Sequence, residues 1–248
     1  MLMITIKQGN SPLQSKNKED ACDGCPVRHS SFCEVLDKSE MDKLSQITHS
    51  VNFKAGHLIV SEEQDANYLY NIVNGMVELY KLLPDGRRQI TGFLHQGDLL
   101  GLLVGEEYPY HAVALTDVEL CCVPKDSANK LFQDFEKIEG YLLKKASHEL
   151  AEAQERMLLL GRKTAEERLA TFLIAQLKRQ NKDEKANEIH LPMMRSDIAD
   201  YLGLTTETVS RVFSKLKKER LVEIPSSEKS NIIVLDIKRL KDVSEGLS

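Results

Sequence analysis

The sequence predicts an α+β protein in which a β-rich first part is joined by one long helix to a mainly helical part that closes on a small hairpin. Three observations carry this. From about Val51 to Val123, short β-branched or aromatic runs alternate with turn residues, and Gly75, Gly86 and Gly97 recur at eleven-residue steps behind Asn74, Asp85 and Gln96. No proline occurs between Pro124 and Pro192, and the twenty residues between Gly140 and Gly161 contain neither helix breaker. Near the end, LVEIPSSEKSNIIVLD reads as two strands about a turn.

The 248 residues, 42% hydrophobic and 29% charged, suffice for one large or two modest domains and exclude disorder and collagen. No window approaches 18 uninterrupted apolar residues, and the apolar start from Met1 to Ile6 is too short for a signal peptide. A soluble cytoplasmic protein with no membrane partner is expected. The net charge of −5 divides unevenly: residues 1–161 carry 16 Lys and Arg against 24 Asp and Glu, whereas residues 162–248 carry 17 against 14. An acidic part is thus joined to a mildly basic one that can approach a polyanion.

Residues 1–19 are polar and aperiodic and read as a flexible tail. Residues 20–125 form a sensor domain, a cysteine loop followed by a β meander closing into a barrel or roll. Residues 126–161 form a helix whose Ile138, Leu142, Ala146, Leu150, Ala153, Met157 and Leu160 fall on one stripe. The stripe is long and narrow, with small Ala146 and Ala153 in the seam, so it is read as the interface of a homodimer rather than as core packing alone. Residues 162–248 hold further helices and the hairpin, the pattern of a winged helix.

Within that last part, SDIADYLGLTTETVSRVFSKLKKERLVEI places Ser196 to cap a short helix, Gly203 to make a tight turn and Thr205 to cap a second helix. Val209, Val212 and Leu216 face inward, while Glu207, Ser210, Arg211 and Ser214 share the opposite face. These groups suit base edges: Arg grips guanine bidentately, Glu accepts from a cytosine amino group, and Ser serves either. Lys215, Lys217, Lys218 and Arg220 follow, where phosphate contact positions a helix without reading sequence. An isolated Glu207–Arg211 pair would be an ordinary surface pair worth a few tenths of a kcal/mol, but its place after a glycine turn and before a wing favours reading of double-stranded DNA.

DIADYLGLTTETVSRVFSKL resembles the recognition region of the CRP/FNR family of bacterial transcription regulators, and ETVSR resembles the E-x-x-S-R pattern of its FNR-type members. The likeness spans nearly the whole chain. It implies a cyclic-nucleotide-binding-like β roll, a long dimerisation helix and a C-terminal winged helix-turn-helix, with RNA polymerase as a partner. It also implies that Glu207, Ser210 and Arg211 read each half of a TTGAT inverted repeat.

Cys22-x2-Cys25-x7-Cys33 supplies three soft thiols in one loop, and a fourth would complete a set suited to either zinc or an iron–sulfur cluster. In VELCCVP, Cys122 shares strand parity with Val118 and Leu120, so it reads as core filling, and Cys121 points the other way. The C-x2-C-x7-C spacing is similar to that of FnrN- and FnrL-like members of the family. That resemblance implies an oxygen-labile [4Fe-4S] cluster, with zinc as the alternative, and selects Cys121 as the fourth ligand.

A cysteine nucleophile with His95 or His111 as base is disfavoured, because neither histidine has a context that activates a thiol, and no enzyme is expected. Cyclic-nucleotide-binding relatives hold the phosphate with an Arg-Ser or Arg-Thr pair. Here Tyr110 and His111 stand in that place, and apart from histidines no basic residue lies between Arg88 and Lys125, so a cyclic nucleotide is not expected.

Overall fold

The computed structural model describes residues 22, 24–101, 105–181, 186–226, 228 and 230–247; the tail expected over residues 1–19 lies outside them. The chain divides into two compact units, residues 1–150 and 151–248.

In the first unit, two short 3-10 turns, Arg28–Ser30 and Phe32–Val35, lead to helix α1, Lys38–Ile47. Asp37 and Glu40 start α1 reciprocally: the Asp37 carboxylate accepts from the Glu40 N–H at 3.0 Å, and the Glu40 carboxylate accepts from the Asp37 N–H at 2.8 Å. Eight strands follow: β1 His49–Phe53, β2 Leu58–Val60, β3 Tyr68–Asn74, β4 Val77–Leu82, β5 Arg88–Leu94, β6 Leu99–Leu100, β7 His111–Ala114 and β8 Val118–Pro124. They form two antiparallel four-stranded sheets, ordered β1-β8-β3-β6 and β2-β7-β4-β5. The three glycines that punctuate the sequence each adopt positive φ, +90° at Gly75, +81° at Gly86 and +89° at Gly97, a region glycine enters without steric cost. They mark the turns after β3, β4 and β5.

The two sheets enclose a core that includes Val51, Tyr70, Ile72, Val77, Leu120 and Cys122. The outer face of the first sheet carries a second core, in which Leu69, Leu99 and Val123 meet Phe32, Cys33, Leu44 and Ile138. The expected single helix over residues 126–161 is two helices, α2 (Lys125–Asp134) and α3 (Glu136–Arg162). Phe135 breaks it with non-helical dihedrals (φ −128°, ψ 90°) and packs its ring on the second core. The 27 residues of α3 extend about 40 Å.

The second unit contains α4 (Ala165–Gln180), β9 (Glu188–His190), α5 (Arg195–Leu202), α6 (Thr206–Lys218), β10 (Val222–Glu223), β11 (Asn231–Val234) and α7 (Ile237–Ser244). The strands form one antiparallel sheet, ordered β10-β11-β9, which is the wing. One side chain joins several elements: the Arg168 guanidinium donates to the carbonyls of Leu160 (2.8 Å), Lys163 (2.9 Å) and Leu202 (2.9 Å), where α3 and α5 end. Helix carbonyls at such ends lack intrahelical donors, and a cation there also offsets the helix dipole. Among the described residues no helix is long and apolar enough to cross a membrane.

Candidate functional site

Strand β8 places its two cysteines on opposite sides. Val118, Leu120 and Cys122 enter the core of the roll, whereas Val123 joins the outer core with Cys33. Pleating therefore turns Cys121 toward the cysteine segment. Cys33 is buried beside Phe32, and Cys22 packs against the same cluster. The segment is wound tightly: the Cys25 N–H donates to the Cys22 carbonyl at 3.4 Å, the Arg28 N–H to the Cys25 carbonyl at 3.2 Å, and the Cys33 N–H to Ser31 Oγ at 3.4 Å.

The four predicted ligands lie within electrostatic reach of one another. Burial pushes the Cys121 thiol well above its ordinary range, and the neighbouring Cys33, Cys22 and Cys25 push it further. Burial also raises Cys33, to about 11, against the lowering effect of its bond to Ser31 and with smaller contributions from Cys22 and Cys25. Cys122, raised to about 12, responds to burial alone. These thiols stay neutral unless a cation stabilises the thiolates, which is the chemistry of a thiolate-bound metal or cluster. No disulfide joins the described cysteines. Among the described residues no three His, Cys, Asp or Glu side chains are gathered closely enough to hold a metal ion, so the donor set fits the group in kind and in neighbourhood without being closed into a coordination site.

One polar residue of this site gives only a weak signal in the sequence. Asn71 on β3 pairs in register with Cys121, alternates with Tyr70 and Ile72 of the roll core, and is 3% exposed. Its Oδ1 is buried without a hydrogen-bond partner among the described residues. The signal is an amide in an otherwise apolar strand, YLYNIV.

The second site is the exposed face of α6. Gly203 ends α5 in the left-handed conformation (φ 62°, ψ 42°), and the Leu204 N–H closes the turn on the Ala199 carbonyl at 3.0 Å. Thr205 caps α6, its hydroxyl accepting from the Thr208 N–H at 3.2 Å. The cap of α5 is Met194, two residues before the expected Ser196, and the Asp197 carboxylate accepts the Met194 N–H at 2.8 Å. Val209, Val212, Phe213 and Leu216 are buried, which leaves Glu207, Ser210, Arg211 and Ser214 exposed together. No ion pair joins Glu207 to Arg211 among the described residues, so both can address a ligand. Lys215 is committed to Glu166 on α4 at 2.5 Å, leaving Lys217, Lys218 and Arg220 as exposed cations. Beside them a groove of about 680 Å³ runs between α5, α6 and the wing, lined in part by Met193, Arg195, Phe213 and Lys217. The Arg195 guanidinium lies 3.2 Å from the centre of the Phe213 ring, and burial lowers its pKa to about 10, which leaves it charged at neutral pH.

The α3 stripe divides into two. Ile138 is 0% exposed within the outer core, and Leu142 packs against that core. Leu150 and Met157 are 61% and 65% exposed, Ala153 lies between them, Ala146 lies one turn before Leu150, and Leu160 is half-buried. Leu143, outside the predicted stripe, is 71% exposed and stands seven residues before Leu150. Leu143, Ala146, Leu150, Ala153, Met157 and Leu160 therefore follow alternating steps of three and four, the heptad spacing of paired helices.

Residues 50–135 match the cyclic nucleotide-binding domain family, and residues 167–243 match the Crp-like helix-turn-helix domain family. The chain is 38% identical over 204 residues to the nitrogen fixation regulation protein FixK of Bradyrhizobium diazoefficiens, covering 82% of this chain and 86% of that one. It is 35% identical over 225 residues to the transcriptional activator protein FnrL of Cereibacter sphaeroides, covering 88% and 90%. The solved structure of FixK2 from Bradyrhizobium japonicum superposes with a TM-score of 0.73 at 37% identity, covering 79% of this chain and 97% of that one. With both domain families matched in order and relatives of this identity and coverage, the chain belongs to the CRP/FNR family of DNA-binding transcription regulators and is not an enzyme.

Proposed function

We propose that the chain is a homodimeric, oxygen-responsive regulator that holds a [4Fe-4S] cluster on Cys22, Cys25, Cys33 and Cys121. In this reading it binds palindromic promoter sites of the TTGAT inverted-repeat type and controls anaerobic and microaerobic gene expression. The observation that supports it most is the placement of Cys121 on the outer face of β8, where its thiol shares an electrostatic environment with the three thiols of the N-terminal segment. A [4Fe-4S] cluster bound there supplies an oxygen-sensitive centre. The chain's own residues do the rest. Ligation ties the segment to β8, and Ile138 and Leu142 of α3 pack on that same outer core. The adjoining face of α3 offers Leu143, Ala146, Leu150, Ala153 and Met157 to a second copy. Holding the segment thereby holds the helix that pairs.

In a dimer, two α6 helices enter major grooves one helical turn apart, with Glu207, Ser210 and Arg211 on base edges. A protomer released from its partner loses the second half-site, so a modest shift in association changes occupancy. RNA polymerase is the expected partner and the cytoplasm the expected location. A cyclic nucleotide has no part in this reading: buried Tyr70 and Tyr108 occupy the roll, and Arg88 is engaged by Glu78 at 2.7 Å. A second reading, a zinc-stabilised or small-effector-responsive regulator without oxygen sensing, draws support from the donor set, since four thiols suit zinc equally.

Anaerobic purification followed by visible spectroscopy and by iron, sulfide and zinc analysis tests the reading. Colour with matched iron and sulfide is the expected result. A colourless protein with stoichiometric zinc and no sulfide overturns oxygen sensing and leaves DNA binding intact.

A further inference from the structure

Asn71 is an unusual residue for its place. It lies in the middle of β3, in a sheet whose two faces are both covered by apolar cores, and it is almost wholly buried. A buried carboxamide is costly unless its oxygen and its NH2 group find partners. The Asn71 Oδ1 has none among the described residues. Its position explains what it could serve. Asn71 and Cys121 are paired across β3 and β8, and directly opposed residues of antiparallel strands project from the same face with their Cβ atoms about 5 Å apart. That face is the one on which Cys121 senses Cys22, Cys25 and Cys33.

Thiolates ligating a cluster in this apolar setting carry excess negative charge that calls for hydrogen-bond donors. Rotating the carboxamide by half a turn about its last torsion exchanges Oδ1 for Nδ2 and presents two N–H donors where an unpartnered oxygen now lies. We infer that Asn71 is a positioning and tuning residue of the thiol site, whose side-chain NH2 donates to sulfur at Cys121 or to the sulfide of the group bound there. The inference rests on the cluster reading given above and adds to it a non-ligand residue. In the metal-free chain the amide is a liability; in the loaded chain it is satisfied. The two states therefore respond to its removal with opposite sign.

The test compares the full-length wild type with Asn71→Leu, a replacement of similar size that cannot hydrogen-bond, each metal-free and after anaerobic reconstitution with ferrous iron and sulfide. Metal-free N71L should melt at or above the wild-type temperature. Loaded N71L should release iron to a chelator about tenfold faster and show a lower midpoint potential, because loss of a donor to sulfur disfavours the reduced, more negative state. Asn71→Asp, which places a carboxylate near the sulfurs, should impair loading more than N71L. If wild-type protein takes up no iron and sulfide, the cluster reading fails and this inference with it. If the wild type loads and N71L matches its iron release and potential, or if metal-free N71L is markedly destabilised, only the role of Asn71 is refuted.

Discussion

Lys145 of α3 donates to the Asp98 carboxylate at 3.3 Å, and Asp98 belongs to the turn against which the cysteine segment rests. Next to Asp98, Gly97 has φ +89°, and a Cβ there would lie 2.8 Å from Ser30 Oγ and 3.0 Å from the Ser30 carbonyl. The turn is held from within, since the Asp98 carboxylate also accepts the His95 N–H at 2.8 Å. The ion pair therefore links the first half of α3 to the segment that carries Cys22, Cys25 and Cys33. Lys145→Gln should accelerate amide exchange at residues 28–33 about fivefold, the equivalent of ~1 kcal/mol for a partly exposed pair, with β4 and β5 unaffected. Exchange measured by mass spectrometry on the full chain checks this; equal acceleration everywhere would indicate global destabilisation instead.

The two adjacent cysteines should separate cleanly. Cys122→Ala leaves a small void in the roll and should cost about 1 kcal/mol of stability without changing metal content. Cys121→Ser should abolish iron and sulfide uptake while shifting stability by less than about 0.5 kcal/mol. Thermal melts paired with metal analysis distinguish the two, and a loaded Cys121 variant would transfer the ligand role to Cys122.

On DNA, Arg211→Ala should cost roughly 1 to 3 kcal/mol at one base position and relax discrimination there. Lys217→Ala should weaken binding to all duplexes alike and reduce the salt slope by about one. Titrations against specific and scrambled duplexes at several salt concentrations provide both readouts.

Arg168→Met should be among the more damaging single changes in the second unit. It removes the donor from carbonyls of Leu160, Lys163 and Leu202 together, and bonds to a charged group contribute about 1.5 to 3 kcal/mol each before any relaxation. A loss of roughly 2 to 4 kcal/mol is expected, read from denaturant midpoints.

Asp117 gives a pH signature. The hydrogen bond from Lys54 Nζ at 2.6 Å, followed by that from the Ala55 N–H at 3.0 Å, holds its carboxyl below the usual carboxylate value. A depressed folded-state pKa contributes stability that is present above the unfolded value of about 3.8 and is lost as pH falls through the folded one. Asp117→Asn should therefore lower the melting temperature at pH 7 and converge with the wild type in strong acid.

Much of this was legible in the sequence wherever one residue type answers one local demand. Gly75, Gly86 and Gly97 mark turns because positive φ requires them, and the period of two in VELCCVP separates Cys121 from Cys122. Gly203 and Thr205 bracket a turn whose chemistry is entirely local. What stayed hidden depends on distant partners. Ile138 and Leu142 fall on the same 3.6-residue stripe as Leu150, yet they pack on a core built from Phe32 and Leu69, so one helix carries two apolar faces that its own periodicity cannot separate. Lys215 is taken from the phosphate-facing set by Glu166, 49 residues earlier. Helices α1 and α7 are short, ten and eight residues, so each offers only about two or three turns over which a pattern can repeat. Asn71 shows its oddity only once Cys121 is known to lie opposite it.

Strand β8 is seven residues long, and its consecutive side chains belong to two different enclosures. With Cys121 as a ligand, as proposed above, responsiveness and foldability are separately heritable along it. A lineage can exchange Cys121 and keep a sound but insensitive scaffold, whereas a change at Cys122 is felt in every state. A one-residue insertion or deletion within the strand would exchange the two faces wholesale, so substitutions, not length changes, are the route by which such a chain can lose or regain its signal.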